Sequence, residues 1–127
     1  GHPQLWVGGR SPEVIAAAAR SADAWNGWAM DPEAFEAAAA ELGRLADGRT
    51  VVPTWGGIAL VGTDASDLER LRDERRAKGL SMDVWEGSAE DLRAFADRLA
   101  EAGCSWLIML PVGGDDRVEV VARALRG

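Results

Sequence analysis

Residues 8–12 read Gly-Gly-Arg-Ser-Pro and combine three features that favour an anion. The apolar run of residues 4–9 ends in Gly8-Gly9, and paired glycines let the backbone turn tightly and approach a ligand closely. Ser11-Pro12 is a helix start, with a capping residue followed by proline at the first helical position. Such a start offers free backbone N–H groups and the positive end of a helix dipole, and Arg10 stands beside it as a charge partner. The chemistry expected of this stretch is phosphate binding. The same residues also make an ordinary tight strand-to-helix turn, and spacing alone does not separate the two readings.

A second constellation follows at Asp23-Ala24-Trp25-Asn26-Gly27. A tryptophan and an asparagine at a strand end can line a pocket, the ring by packing or stacking and the amide by fixing polar edges. Six tryptophans occur without a tyrosine. Trp6, Trp55 and Trp106 lie inside strand-like runs and are expected in the core, whereas Trp25 and Trp28 divide evenly between core and pocket.

No catalytic set is visible. The chain has 21 acidic residues, yet no two fall at a spacing that serves acid–base work. Its one histidine, His2, adjoins the terminus, so neither a Ser-His-Asp set nor a His-based metal cluster is expected. The single cysteine, Cys104, excludes an internal disulfide and is expected to be a small buried residue.

Alternating elements must carry these groups. Apolar strands are expected at residues 4–9, 23–28, 50–62 and 105–113, with a bend or irregular entry in the third at Pro53 and Gly56-Gly57. Helices are expected at residues 11–22, 31–48, 64–79, 88–103 and 115–127. The second places Phe35, Ala38, Leu42 and Leu45 on one face, and the fourth opens on a capping-box pair, Ser88 and Asp91. Asp115-Asp116 most simply serves the start of the last helix. Residues 80–87, Leu-Ser-Met-Asp-Val-Trp-Glu-Gly, read mostly as loop.

Strands followed by helices imply parallel pairing with helical cover. The expected fold is α/β: four parallel βα units forming a single domain over residues 1–127, either a small open sheet or half of a (β/α)8 barrel. Two sheet edges and an apolar inner face would then be exposed, which invites a second copy to complete the barrel as a homodimer.

Bulk properties narrow the function. A net charge of −7 argues against nucleic acid, and the basic cluster at residues 70–79 has acids interleaved, as on a solvated helix face. Apolar runs fall short of the roughly 20 residues that cross a bilayer, so no membrane partner is expected. The Gly-His-Pro start reads as processed or engineered, no signal segment is seen, and the expected location is cytoplasmic.

Residues 5–28, LWVGGRSPEVIAAAARSADAWNGW, resemble the luciferase-like monooxygenase family. Residues 87–111, GSAEDLRAFADRLAEAGCSWLIMLP, are similar to that family's closing helix and last strand. The resemblance implies the fifth to eighth βα units, the C-terminal half of a barrel that holds FMN or coenzyme F-420. It implies that Gly8 and Gly9, with Arg10 and Ser11, lie at the cofactor's phosphate, and that Trp25 and Asn26 lie near the cofactor. The implied activity of the intact protein is hydride transfer between cofactor and a small organic substrate, with F-420 favoured over FMN on the alanine- and arginine-rich composition. Much of the family's ring site and its catalytic polar groups lie on the first four units, so no catalytic residue is assigned here. The alternatives are a non-catalytic, self-associating half-barrel and an unrelated small α/β binding domain.

Overall fold

Short polar side chains set the helix starts. In the computed structural model, which describes residues 1–80 and 83–126, Ser11 Oγ accepts the Val14 N–H at 3.2 Å ahead of α1 (Pro12–Ser21). Asp31 caps α2 (Pro32–Ala46) through the Ala34 N–H, and Asp64 caps α3 (Ala65–Ala77) through the Asp67 N–H, both at 2.8 Å. At the start of α4 (Ala89–Glu101) the bonds are reciprocal: Ser88 N–H donates to Asp91, and Asp91 N–H donates to Ser88 Oγ. The Ser88 N–H also holds the Asp91 carboxyl below the usual carboxylate range. The last helix, α5, spans Arg117–Arg126.

Between the helices run β1 (Trp6–Gly8), β2 (Ala24–Trp28), β3 (Val52–Gly62), β4 (Trp85–Ser88) and β5 (Trp106–Pro111). β1 pairs with β2, β2 with β3 and β3 with β4, all in parallel, and β5 also pairs with β3. β3 uses residues 52–56 against β2 and residues 59–62 against β4.

Two expectations need correction. Residues 80–87 were expected as loop, but Trp85–Ser88 forms a fifth strand through its pairing with Ala59–Gly62; Ser81 and Met82 lie outside the described residues. Pro53 and Gly56-Gly57, expected to mark a bend or irregular entry, lie inside a single strand, β3, that runs unbroken for 11 residues. Pro53 is tolerated near the strand's start, where its carbonyl still accepts the Ser105 N–H at 2.9 Å. Gly56 makes room for a neighbour's side chain: a Cβ there would lie 2.7 Å from Asn26 Oδ1.

The chain divides into two compact units. In the first, residues 1–56 with 98–108, the alanine-rich α1 and α2 bury Ile15, Ala18, Ala19, Phe35, Ala38 and Leu42. Trp25 is fully buried with its ring 5.4 Å from that of Phe35, and buried Trp55 donates its indole N–H to the Met30 carbonyl at 2.7 Å. The opposite face of these strands is mixed, with Ala24 and Thr54 buried and three indoles exposed. Trp6, Trp28 and Trp106 are 37%, 42% and 59% exposed, and Trp6 meets Trp106 edge to face with centroids 6.0 Å apart. Trp55 is thus a core residue, as expected, but Trp6 and Trp106 are not. Alternation along a strand sends them to the side that no helix of this unit covers.

In the second unit, residues 57–97 with 109–127, β3 buries side chains on both faces. Ala59 and Val61 pack with Leu92 and Ala124, while Leu60 packs with Leu68 and Leu71. Arg117 is buried and donates to Asp67 and Asp116, both at 2.7 Å, and to the Val61 carbonyl at 3.1 Å. Asp116 therefore serves the start of α5 partly by pairing with this arginine. The basic residues of α3 lie on an exposed face laced with ion pairs, among them Arg70–Glu74 and Arg76–Asp73. No helix among the described residues is long and apolar enough to cross a membrane.

Candidate functional site

β1 delivers Gly8 and Gly9 to the start of α1. Gly9 has φ +144°, and a Cβ at that position would lie 2.9 Å from Val14 Cγ1. Only glycine fits both the torsion and the space. Gly8 is under no such constraint, since its Cβ would meet nothing closer than the Asn26 carbonyl at 3.7 Å. The turn is held at both polar groups of Gly9. Its N–H donates to the Asn26 carbonyl at 3.1 Å, and its carbonyl accepts the Trp25 indole N–H at 2.8 Å.

Ser11 closes the first turn of α1 twice, its Oγ taking the Val14 N–H and its carbonyl the Ile15 N–H. The Glu13 N–H belongs to the set that an α-helix leaves without an internal acceptor. With proline at the first helical position and the dipole's positive end, this turn can receive an anion. Arg10 is exposed and, among the described residues, takes part in no ion pair. Glu13 brings a carboxylate into the same first turn, where it favours the helix in the absence of a ligand.

The six residues singled out in the sequence fall into two groups. Gly8, Gly9, Arg10 and Ser11 are consecutive at the strand-to-helix turn, and Gly8 is the register partner of Asn26 on β2. Trp25 reaches the turn only through its N–H; its ring is buried against Phe35 and offers no face to a ligand. The Asn26 side chain projects to the opposite side of β2, and its Oδ1 is buried without a hydrogen-bond donor. Trp28, which the sequence left between core and pocket, is exposed on this side beside Asn26, and its register partner is Gly56, which the sequence did not connect with Asn26. Counting by twos from Asn26 places Trp28 on the same face.

Other reactive groups serve the structure. Burial pushes the Cys104 thiol up, and it donates to the Trp106 carbonyl at 3.2 Å. Asp67 is held well below the ordinary carboxylate range by the Thr63 N–H first and then by Arg70 and Arg117.

No protein-family model matches the chain, and no curated protein matches its sequence. Solved structures do match it. The coenzyme F420-dependent tetrahydromethanopterin reductase from Methanopyrus kandleri superposes with a TM-score of 0.68 at 16% identity, over 95% of this chain and 49% of that one. The EDTA monooxygenase from Chelativorans sp. BNC1 gives 0.77 at 13% identity, over 98% of this chain and 43% of that one. An F420-dependent secondary alcohol dehydrogenase, solved with an F420-acetone adduct, gives 0.68 at 17% identity, over 100% of this chain and 50% of that one. The fold is that of the luciferase-like monooxygenases.

The chain spans about half the length of these luciferase-like structures. Its alternating parallel strands and helices correspond to half of a (β/α)8 barrel. The expected fold class therefore stands, with one strand added.

Proposed function

We propose that this chain provides the phosphate-anchoring part of a coenzyme F-420- or FMN-dependent oxidoreductase, which moves a hydride between the cofactor and a small organic substrate. The observation that carries the reading is Gly9, where a left-handed torsion and the Val14 contact both demand glycine at the mouth of a helix start. Gly9, Ser11 and the Glu13 N–H would hold the phosphate, and Arg10 would add charge. Gly8 would leave the approach clear, Trp25 would fix the Gly9 carbonyl, and Asn26 would face the ring.

The residues present fit such a group in two respects: a turn at Gly9 that only glycine can make directly ahead of a helix start, and an orphaned amide oxygen at Asn26. When bound, the cofactor supplies the hydride chemistry, and the chain's part is binding and orientation. F-420 is favoured over FMN, since two of the three structures compared above are named as F420-dependent. In this reading residues 1–127 act as one domain in the cytoplasm. Tryptophan fluorescence tests the proposal directly. One of the two cofactors, titrated separately, should quench it saturably, and Gly9→Asp, which breaks the turn against Val14 and adds negative charge beside the helix start, should abolish the effect. Quenching that survives Gly9→Asp would refute the cradle.

A second reading is favoured by the exposed Trp6, Trp28 and Trp106 on one side of the first unit's strands. In it, two copies associate through this face into a barrel-like homodimer that is non-catalytic. Sedimentation equilibrium distinguishes a dimer from a monomer at micromolar concentration.

A further inference from the structure

Trp6 opens β1 and Trp106 opens β5, and two strands, β2 and β3, lie between them. Three strand spacings put those backbones about 14 Å apart in a flat sheet, where side chains stand roughly perpendicular and do not converge. The two rings nevertheless meet edge to face with centroids 6.0 Å apart. That contact requires the sheet to curl toward this face and both rings to lean inward over the strands between.

The residues beneath fit such an arch. The register partner of Trp6 on β2 is Ala24, and Thr54 stands on the same side of β3. Both are fully buried, although Trp25, which packs on Phe35 of α2, points the other way. Large side chains on the outer strands and small ones on the inner pair let the indoles close over the middle. Gln4 Oε1 accepts the Trp6 indole N–H at 3.0 Å and fixes the pitch of that ring.

We propose that Trp6 and Trp106 form a strap that holds the first unit's sheet curved and roofs the N-terminal end of its inner face. The other ends of these strands stay clear, with Gly8 and Gly56 bare on the same side and Trp28 exposed. A molecule that reaches this face therefore enters from the side of Gly9 and α1. The strap is built from this chain's own residues and needs neither a ligand nor a second copy.

Two indoles this close give an exciton couplet in far-ultraviolet circular dichroism, and Trp6→Leu and Trp106→Leu should each abolish the same couplet. In urea unfolding the two substitutions should be non-additive, with a coupling of about three- to tenfold in the unfolding constant, the scale of an aromatic pair. Trp28→Leu changes an indole on the same face that joins no ring pair among the described residues. It should leave the couplet intact and add independently to Trp106→Leu. Should a leucine variant fail to fold, Trp6→Phe keeps a ring against Trp106 and should still remove the couplet. Additive effects of Trp6→Leu and Trp106→Leu, or a couplet that survives either substitution of Trp6, overturn the proposal. So does a couplet that fades on dilution through the micromolar range, which would assign the contact to two copies.

Discussion

The indole N–H of Trp25 donates to the carbonyl of Gly9 across 2.8 Å. A fully buried ring anchored against Phe35 thus sets the orientation of an exposed turn. Trp25→Phe keeps most of the packing and removes the donor. It should cost about 1 kcal/mol of stability and weaken FMN or F-420 binding without touching the ligand. Urea unfolding alongside fluorescence titration checks both. Unchanged affinity would show that the turn keeps its conformation without the bond.

Gly9 and Gly8 should respond differently to alanine. Gly9→Ala meets a positive φ and the Val14 side chain and should destabilise by about 1–3 kcal/mol. Gly8→Ala meets only ordinary contacts and should stay within about 0.5 kcal/mol. Urea midpoints of the two variants measure the difference.

Much of this was legible in the letters. The helix starts were, because a capping side chain and a proline act within four residues of themselves, as at Ser11-Pro12 and Asp31-Pro32. The alternation of strand and helix followed. What the letters hid depended on distant partners. Trp85–Ser88 becomes a strand only because the end of β3 offers it an edge. Gly56 looked like a bend and is space for Asn26, a residue 30 positions earlier. Trp6 and Trp106 have the composition of core residues, and which face they take depends on where the helices pack. Trp25 and Asn26 are neighbours in sequence on opposite faces of one strand, so a pocket reading that joined their side chains joined two environments.

Arg117 and Asp67 should govern the acid limit of the second unit. The folded Asp67 carboxyl lies below the unfolded value of about 3.9, so the unfolded state binds the extra proton between the two values. Stability from this group is present above the unfolded value and lost as pH falls through the folded one. Unfolding free energy should therefore climb with pH up to about 5 and then level. Asp67→Asn should flatten that climb and cost about 3 kcal/mol at neutral pH, since it takes a charge partner from buried Arg117. Urea titrations of both proteins across the acid range test the slope.

Trp106 is the most exposed of the three open indoles. If the face they share is where copies meet, Trp106→Glu should convert a micromolar dimer to monomer in sedimentation equilibrium while leaving the helical circular dichroism unchanged. A wild-type chain that sediments as a monomer contradicts self-association.

The central claim is that the turn from Gly9 into α1 holds a phosphate. Nitrogen–proton correlation NMR during an FMN titration, with riboflavin as the phosphate-free control, tests it most directly. The account predicts that the amides of Gly9, Arg10, Ser11 and Glu13 shift saturably with FMN and far less with riboflavin. Equal shifts with both ligands, or shifts that leave these four amides untouched, would contradict it.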